Sequence, residues 1–109
     1  MKAVVNRPKR LTGTITPPGD KSISHRAAIF NAIATGEARI ENYGPGADCQ
    51  SAIRVLRQLG TQIEGKDGSY VICGRELVEP ADVLNTGNSG TTTRLMAGVL
   101  AAQPFLSVL

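Results

Sequence analysis

Strand patterns and helix patterns alternate along this chain, and the alternation restricts its fold more than any other feature of the sequence. Short β-branched or alternating stretches predict strands at residues 11–16, 37–43, 61–64, 70–73, 83–85 and 104–109. Apolar residues at helical spacing predict helices at 22–35, 48–59 and 91–102, the first two of which are followed by glycine. The order strand, helix, strand, helix, hairpin, helix, strand is typical of an α/β domain.

The predicted helices differ in how far their apolar residues extend around the helix. The first two should each bury one face, formed by Ile23, Ala27, Phe30 and Ala34, and by Ala52, Val55, Leu56 and Leu59. The third is apolar nearly all round, so we expect it to be buried on several sides. Because little in 109 residues would cover it, and the chain stops within the apolar run 104–109, we expect a piece of a longer protein.

Composition and charge argue against nucleic-acid and membrane partners. The chain has 12 Lys and Arg residues against 9 Asp and Glu residues, a formal charge of +3, and 4% aromatic residues. The basic residues are spread over different predicted elements, whereas a nucleic-acid surface needs a basic stripe with stacking aromatics. Because the sequence shows neither a signal peptide nor an apolar run of membrane-spanning length, we expect a cytoplasmic protein.

The cysteines and the single histidine form no recognisable metal or nucleophile motif. Cys49 and Cys73 lie far apart without a CxxC partner, so we expect reduced thiols, although a single disulfide stays open. His25 has two interpretations, a general acid or a supporting or solvated residue, and we favour the second. No pair of His, Cys or carboxylate residues has the spacing of a metal site.

The first candidate site is the loop at residues 18–26, PGDKSISHR, which runs directly into a predicted helix. The first turn of a helix exposes free N–H groups and carries a partial positive charge, which favours bound anions. Lys21 adds an ammonium group, Ser22 a hydroxyl, and Arg26 a guanidinium one turn further along the same face. The alternative is that Asp20 or Ser22 only caps the helix while both basic side chains are solvated.

The second candidate site is the loop at residues 87–94, GNSGTTTR, which also runs into a predicted helix. Its glycines let backbone N–H groups approach a ligand closely, and Asn88 and the threonine hydroxyls are local donors. The alternative is a Ser or Thr helix cap after a glycine-rich turn. Two such helix starts in one small chain favour an anion site more than either does alone.

A nucleotide-binding P-loop is the rival interpretation of the first loop, but the spacing does not fit. That motif needs four residues between its glycines and a lysine directly after the second glycine. Here five residues separate Gly13 from Gly19, and Asp20 stands between Gly19 and Lys21. Two prolines, at 17 and 18, also remove amide donors. We therefore do not expect a P-loop kinase or NTPase.

Together the two loops closely resemble the two N-terminal signatures of the 5-enolpyruvylshikimate-3-phosphate synthase family. The resemblance covers nearly the whole chain, includes PGAD at 45–48, and is greatest to bacterial enzymes of the Gram-positive type. The sister family, UDP-N-acetylglucosamine enolpyruvyl transferase, shares the fold but differs at the first loop. The resemblance implies the two-domain enolpyruvyl transferase fold, an inverse α/β barrel. Residues 1–18 would then be a strand leading into the inter-domain hinge, 19–74 the first βαβαββ unit, and 75–109 the start of a second.

The resemblance also implies an activity and a set of substrate-binding residues. The family transfers a carboxyvinyl group from phosphoenolpyruvate to the 5-hydroxyl of shikimate 3-phosphate, without a metal or organic cofactor, and is the glyphosate target. Lys21 is then catalytic and touches both substrates, Ser22 and Arg26 hold shikimate 3-phosphate, and Gly90 lines the phosphoenolpyruvate site. Asn88 and Thr91 are weaker candidates, and Arg94 is expected to be structural.

A chain of this length would lack much of the active site that the resemblance implies. The second phosphoenolpyruvate-binding arginine, the acid and base groups and the opposing domain would all lie beyond residue 109. The complete enzyme is expected to be a monomer. The alternatives for this chain are a non-catalytic fragment and one half of a split enzyme that reassembles with a partner chain.

Overall fold

Three helices and one small sheet make up the fold, in a computed structural model that describes residues 1–109. The helices are α1 (Lys21–Ile33), α2 (Ala47–Gln58) and α3 (Gly90–Leu100). The strands are β1 (Gly36–Ile40), β2 (Gln62–Lys66) and β3 (Ser69–Gly74). The predicted α/β class is therefore confirmed, and all three predicted helices are present. None of the helices is both long and apolar enough to cross a lipid bilayer.

The three strands form one antiparallel sheet in the order β1–β3–β2. β2 and β3 are the predicted hairpin, and its turn contains Asp67 and Gly68, with φ of 52° and 86°. Two successive positive φ values match the twist of a hairpin, which is why an Asp-Gly pair is favoured at this turn. On its other side β3 pairs with β1, with Ile40 opposite Tyr70.

One core of sixteen buried residues lies between the helices and the sheet. α1 packs against α2, β1 and β3, while α2 also contacts β2 and α3. The predicted apolar face of α2 is fully buried, as Ala52, Val55, Leu56 and Leu59 show no exposed surface. The same core also includes residues from beyond the hairpin: Leu77, Leu84, Met96 and Leu100. These residues tie α3 to the rest of the chain.

Three of the predicted strands are not formed. Residues 11–16 make no ladder, and Leu11 and Ile15 are exposed, because no strand of this chain lies beside them to complete the backbone hydrogen bonds. Residues 83–85 and 104–109 approach each other, but they share only one backbone hydrogen bond, from Leu84 N to Val108 O at 2.8 Å. One bond does not make a ladder, so both segments stay irregular.

The prediction of which face of α1 is buried was wrong. Ile23 and Phe30 are exposed by 60% and 61%, whereas the buried residues are Ser24, His25, Ala28, Ile29 and Ala32. The buried face carries polar residues in its first turns because their side chains are hydrogen-bonded there. α3 also buries only one face in this chain, through Thr92, Met96 and Leu100, and leaves Leu95 exposed.

Candidate anion-binding site

The first turns of all three helices lie side by side. The Lys21 ammonium in α1 is 3.3 Å from the Asp48 carboxylate in α2. The Thr92 hydroxyl in α3 lies 3.2 Å from the Asp48 backbone oxygen and 3.0 Å from His25 Nε2 in α1. Because the N-terminal ends of helices carry exposed N–H groups and partial positive charge, their convergence creates a surface suited to anions.

Both loops also contain the helix caps that were weighed as the alternative interpretation. Asp20 Oδ1 accepts the Ile23 N–H at 2.8 Å, and Ser89 Oγ accepts the Thr92 N–H at 3.1 Å. Asp20 and Ser89 therefore cap α1 and α3. This arrangement leaves the Ser22 hydroxyl without a partner in the chain, so capping and ligand binding are not exclusive.

Three of the predicted site residues extend from the first turns of α1 toward the surface. Lys21 is 55% exposed at its side chain, and Ser22 and Arg26 are exposed. The ion pair between Lys21 and Asp48 is also partly exposed, so it holds the ammonium only weakly. An incoming phosphate would share Lys21 with Asp48. Ser22 and Arg26 make no hydrogen bond within the chain and are free to bind a ligand.

A close crossing of two backbone segments fixes the start of α1. A β-carbon at Gly19 would overlap the carbonyl oxygen of Asn42 and lie 3.0 Å from Gly44 N. Asn42 itself has a φ of 55°, and its side chain donates to Pro17 O at 3.2 Å. The Gly44 N–H donates to Ser24 Oγ at 2.8 Å. Only glycine at position 19 allows this approach, and the approach sets where Lys21 leaves the loop.

The second loop presents Gly90 at the exposed first turn of α3, with Asn88 exposed beside it and Thr91 half-buried. The Arg94 guanidinium folds back toward this turn. Its Nη1 lies 2.8 Å from the position that a β-carbon at Gly90 would occupy. Arg94 makes no ion pair in this chain. Arg94, which was expected to be structural, therefore places a cation without an ion pair beside Gly90.

His25 is fully buried and joins the two loops, so of the two roles that were favoured for it, supporting or solvated, the solvated one was wrong. Its Nδ1 lies 2.9 Å from Lys21 O and its Nε2 lies 3.0 Å from Thr92 Oγ1. Ser89 Oγ lies 2.7 Å from the same Thr92 hydroxyl. A buried position is consistent with the favoured supporting role. Thr92 could not be predicted as its partner from sequence spacing, because 67 residues separate the two.

The two cysteines are free thiols at different depths. Cys49 is buried beside His25, with 4.0 Å between Sγ and Nδ1, and Cys73 is partly exposed. Burial raises the pKa of the Cys49 thiol above its ordinary value, which keeps it protonated and poorly nucleophilic at neutral pH. No group of three or more His, Cys, Asp and Glu side chains is arranged to hold a metal ion.

Comparison with solved structures gives the same architecture. Two structures of EPSP synthase from Acinetobacter baumannii superpose with TM-scores of 0.80 and 0.81, each at 39% sequence identity. The match covers 87% of this chain and 23% of each of those chains. The predicted enolpyruvyl transferase fold is therefore confirmed, and this chain forms part of a domain of it.

Sequence comparison gives the same family. Two relatives named 3-phosphoshikimate 1-carboxyvinyltransferase, from Herpetosiphon aurantiacus and Pelotomaculum thermopropionicum, are 58% and 55% identical over 100% and 96% of this chain. The chain spans about a quarter of the length of these curated relatives, 26% and 25% respectively. A family profile described as EPSP synthase (3-phosphoshikimate 1-carboxyvinyltransferase) matches residues 5–109. The chain therefore belongs to the EPSP synthase family.

Proposed function

We propose that the full-length protein containing this chain transfers the carboxyvinyl group of phosphoenolpyruvate to the 5-hydroxyl of shikimate 3-phosphate and releases phosphate. The observation that carries this proposal is the convergence of the N-termini of α1 and α3, with exposed basic side chains beside them, in a chain of the EPSP synthase family. Both substrates carry a phosphate and a carboxylate. A surface of exposed N–H groups and free basic side chains suits such ligands.

Each residue of the site has a proposed role. Lys21 contacts both substrates, and Ser22 and Arg26 hold shikimate 3-phosphate. Gly90 lets phosphoenolpyruvate approach the backbone of α3, where Arg94 supplies a further positive charge. Asn88 and Thr91 are additional donors. These groups stabilise the anionic tetrahedral ketal phosphate through which the family's reaction passes, because preorganised cations and amides favour such charge.

The groups that move protons are proposed to lie outside this chain, in the remainder of the enzyme. Residues 1–18 would lead to an inter-domain hinge, 19–74 would be the first βαβαββ unit, and 75–109 would begin the next. The opposing domain would close over the open surface described above and exclude water. We propose a cytoplasmic, monomeric enzyme of aromatic amino acid biosynthesis that needs no metal or organic cofactor.

The test is an assay of the full-length protein for phosphate release that depends on both substrates, with the enolpyruvyl product identified by mass spectrometry. A hybrid in which this chain replaces the matching segment of a curated relative serves equally well. We expect turnover in both proteins. A well-folded hybrid without turnover, made from an active relative, would contradict the proposal.

The 109-residue chain alone should have no synthase activity. Its candidate site is an open surface, since Lys21, Ser22, Arg26 and Gly90 are all exposed. Binding groups without acid and base groups in a closed site do not give turnover. The measurement is phosphate release by the purified chain at high protein concentration. Clear turnover would show that the missing three quarters are not required.

A non-catalytic fragment and one half of a split enzyme are the alternatives, and both are consistent with coverage of only 26% of the Herpetosiphon relative. Mixing this chain with a second chain that carries the remaining motifs separates them. Restored activity indicates a split enzyme, whereas continued inactivity with a folded partner indicates a fragment.

Gly90→Ala in the full-length enzyme should weaken glyphosate inhibition more than phosphoenolpyruvate binding. We propose that this inhibitor occupies the phosphoenolpyruvate site and is longer than the substrate. The new methyl group would meet Arg94 Nη1 at 2.8 Å, and this guanidinium is flexible enough to yield, so the fold should tolerate it. The methyl would intrude on the longer ligand first, at a cost of about 1–3 kcal/mol.

The measurement is the inhibition constant for glyphosate beside the KM for phosphoenolpyruvate, in wild type and Gly90→Ala. Gly98→Ala, in the same helix and with nothing within 4 Å of the added carbon, is the matched control and should change neither constant. If the inhibition constant for glyphosate and the KM for phosphoenolpyruvate rise by the same factor in Gly90→Ala, position 90 does not discriminate between the two ligands.

A further inference from the structure

The buried side chains between α1 and α3 form a directed chain of hydrogen bonds. Lys21 O can only accept a hydrogen bond, so the neutral His25 ring must carry its proton on Nδ1 to satisfy the 2.9 Å contact. His25 Nε2 is then an acceptor. The Thr92 hydroxyl has one hydrogen and two acceptors within reach, His25 Nε2 at 3.0 Å and the Asp48 backbone oxygen in α2 at 3.2 Å, and we assign the hydrogen to the shorter contact. Ser89 Oγ in turn donates to Thr92 Oγ1 at 2.7 Å. The chain runs from the cap of α3 to the first backbone carbonyl of α1.

The bond between His25 and Thr92 is the only hydrogen bond between the two helices that carry the candidate site. α1 and α3 each pack against α2 and share few contacts with each other. Further along, their side chains border an open, mostly apolar groove lined by Arg26, Ile29, Phe30, Leu95, Gly98 and Val99. Apolar packing against α2 sets how closely α1 and α3 each approach α2. A hydrogen bond between α1 and α3 also restricts their rotation and sliding relative to each other, because its strength depends on the donor–hydrogen–acceptor angle.

We propose that His25 and Thr92 are positioning residues that hold the N-terminus of α3 in register with Lys21. The proposal rests on the proposed function, in which Lys21 contacts both substrates and Gly90 lines the site for phosphoenolpyruvate. His25 anchors the backbone carbonyl of Lys21 itself, while Thr92 and Ser89 hold the turn that begins at Gly90. Losing the link should therefore lower kcat/KM for phosphoenolpyruvate more than it weakens the binding of shikimate 3-phosphate to α1 alone.

The test compares Thr92→Val with Thr92→Ser in the full-length enzyme. Valine keeps the volume of threonine and removes the hydroxyl, whereas serine keeps the hydroxyl and removes a methyl group. We expect Thr92→Val to lower kcat/KM for phosphoenolpyruvate about tenfold, the effect of one buried hydrogen bond, and Thr92→Ser by less than about threefold. The dissociation constant of shikimate 3-phosphate alone, from calorimetry, should stay within about twofold for both variants.

Three results would overturn the proposal. An equal loss in Thr92→Ser and Thr92→Val would assign the effect to packing rather than to the hydroxyl. An equal loss of affinity for both substrates would indicate general damage to the fold, and an unimpaired Thr92→Val would show that the link is dispensable. Because Thr92→Val also removes the 3.2 Å contact with the Asp48 backbone oxygen in α2, His25→Gln is measured beside it and stands alone if Thr92→Val does not fold. Glutamine reaches Thr92 but not Lys21 O, so the same selective loss is expected. An inactive wild type would instead contradict the proposed function.

Discussion

Lys21→Ala should lower kcat/KM of the full-length enzyme by a factor of about 10² to 10⁴ while leaving its stability nearly unchanged. The proposed role gives Lys21 a charge-assisted contact with each of two anionic substrates, and each contact contributes about 1.5–3 kcal/mol. The only ion pair that is lost joins Lys21 to Asp48, and their side chains are 55% and 33% exposed. Such a pair contributes at most about 1 kcal/mol to folding. Activity and stability should therefore separate.

The measurements are steady-state kinetics for both substrates and urea denaturation of wild type and variant. Arg75→Ala is the matched control because it also removes an exposed basic side chain. It lies at the opposite end of α1, where its backbone N–H bonds to Ala32 O, and should leave kcat/KM unchanged. Arg26→Ala should weaken the binding of shikimate 3-phosphate about tenfold. Unchanged affinity in both Lys21→Ala and Arg26→Ala would remove α1 from the site.

The fold could be predicted where local patterns and tertiary packing agree. α2 has a clear apolar stripe, and each of its four predicted residues is fully buried. The predicted strand at 11–16 has an equally clear β-branched pattern, but a strand also needs a neighbour, and the sequence pattern does not say where that neighbour is. α1 failed differently, because its buried face begins with Ser24 and His25, which hydrophobic periodicity counts as solvent-facing.

The candidate site could also be predicted only in part. Lys21, Ser22 and Arg26 are neighbours on one helix, so their shared surface follows from spacing alone. The link between His25 and Thr92 joins residues 67 positions apart and depends on how α1 and α3 pack around α2. The position of the Arg94 guanidinium beside Gly90 could not be predicted for a related reason, since spacing does not tell which way a long side chain folds. Polar contacts across elements were therefore missed even though every participant is visible in the sequence.

Gly19→Ala should destabilise the full-length enzyme by about 3 kcal/mol and lower its activity at least about 10²-fold. The added methyl would overlap the carbonyl oxygen of Asn42, which is backbone and cannot turn aside. The segment at 42–44 is also held on two sides. The Tyr43 N–H donates to Gly68 O at 2.9 Å, and the Gly44 N–H donates to Ser24 Oγ at 2.8 Å. The loop before α1 must therefore move instead.

A displaced loop would carry Lys21 with it, which is why one methyl group outside the ligand surface should impair catalysis as well as folding. Gly46→Ala is the matched control, since it adds the same methyl with nothing within 4 Å, at an ordinary φ of −64°. We expect it to cost less than about 1 kcal/mol and to keep most of the activity. Urea midpoints and kcat/KM measured for both variants test the crossing. If Gly19→Ala matches Gly46→Ala in both quantities, the backbone at Gly19 does not lie in close contact with the Asn42 carbonyl oxygen. The start of α1 would then be positioned by other contacts.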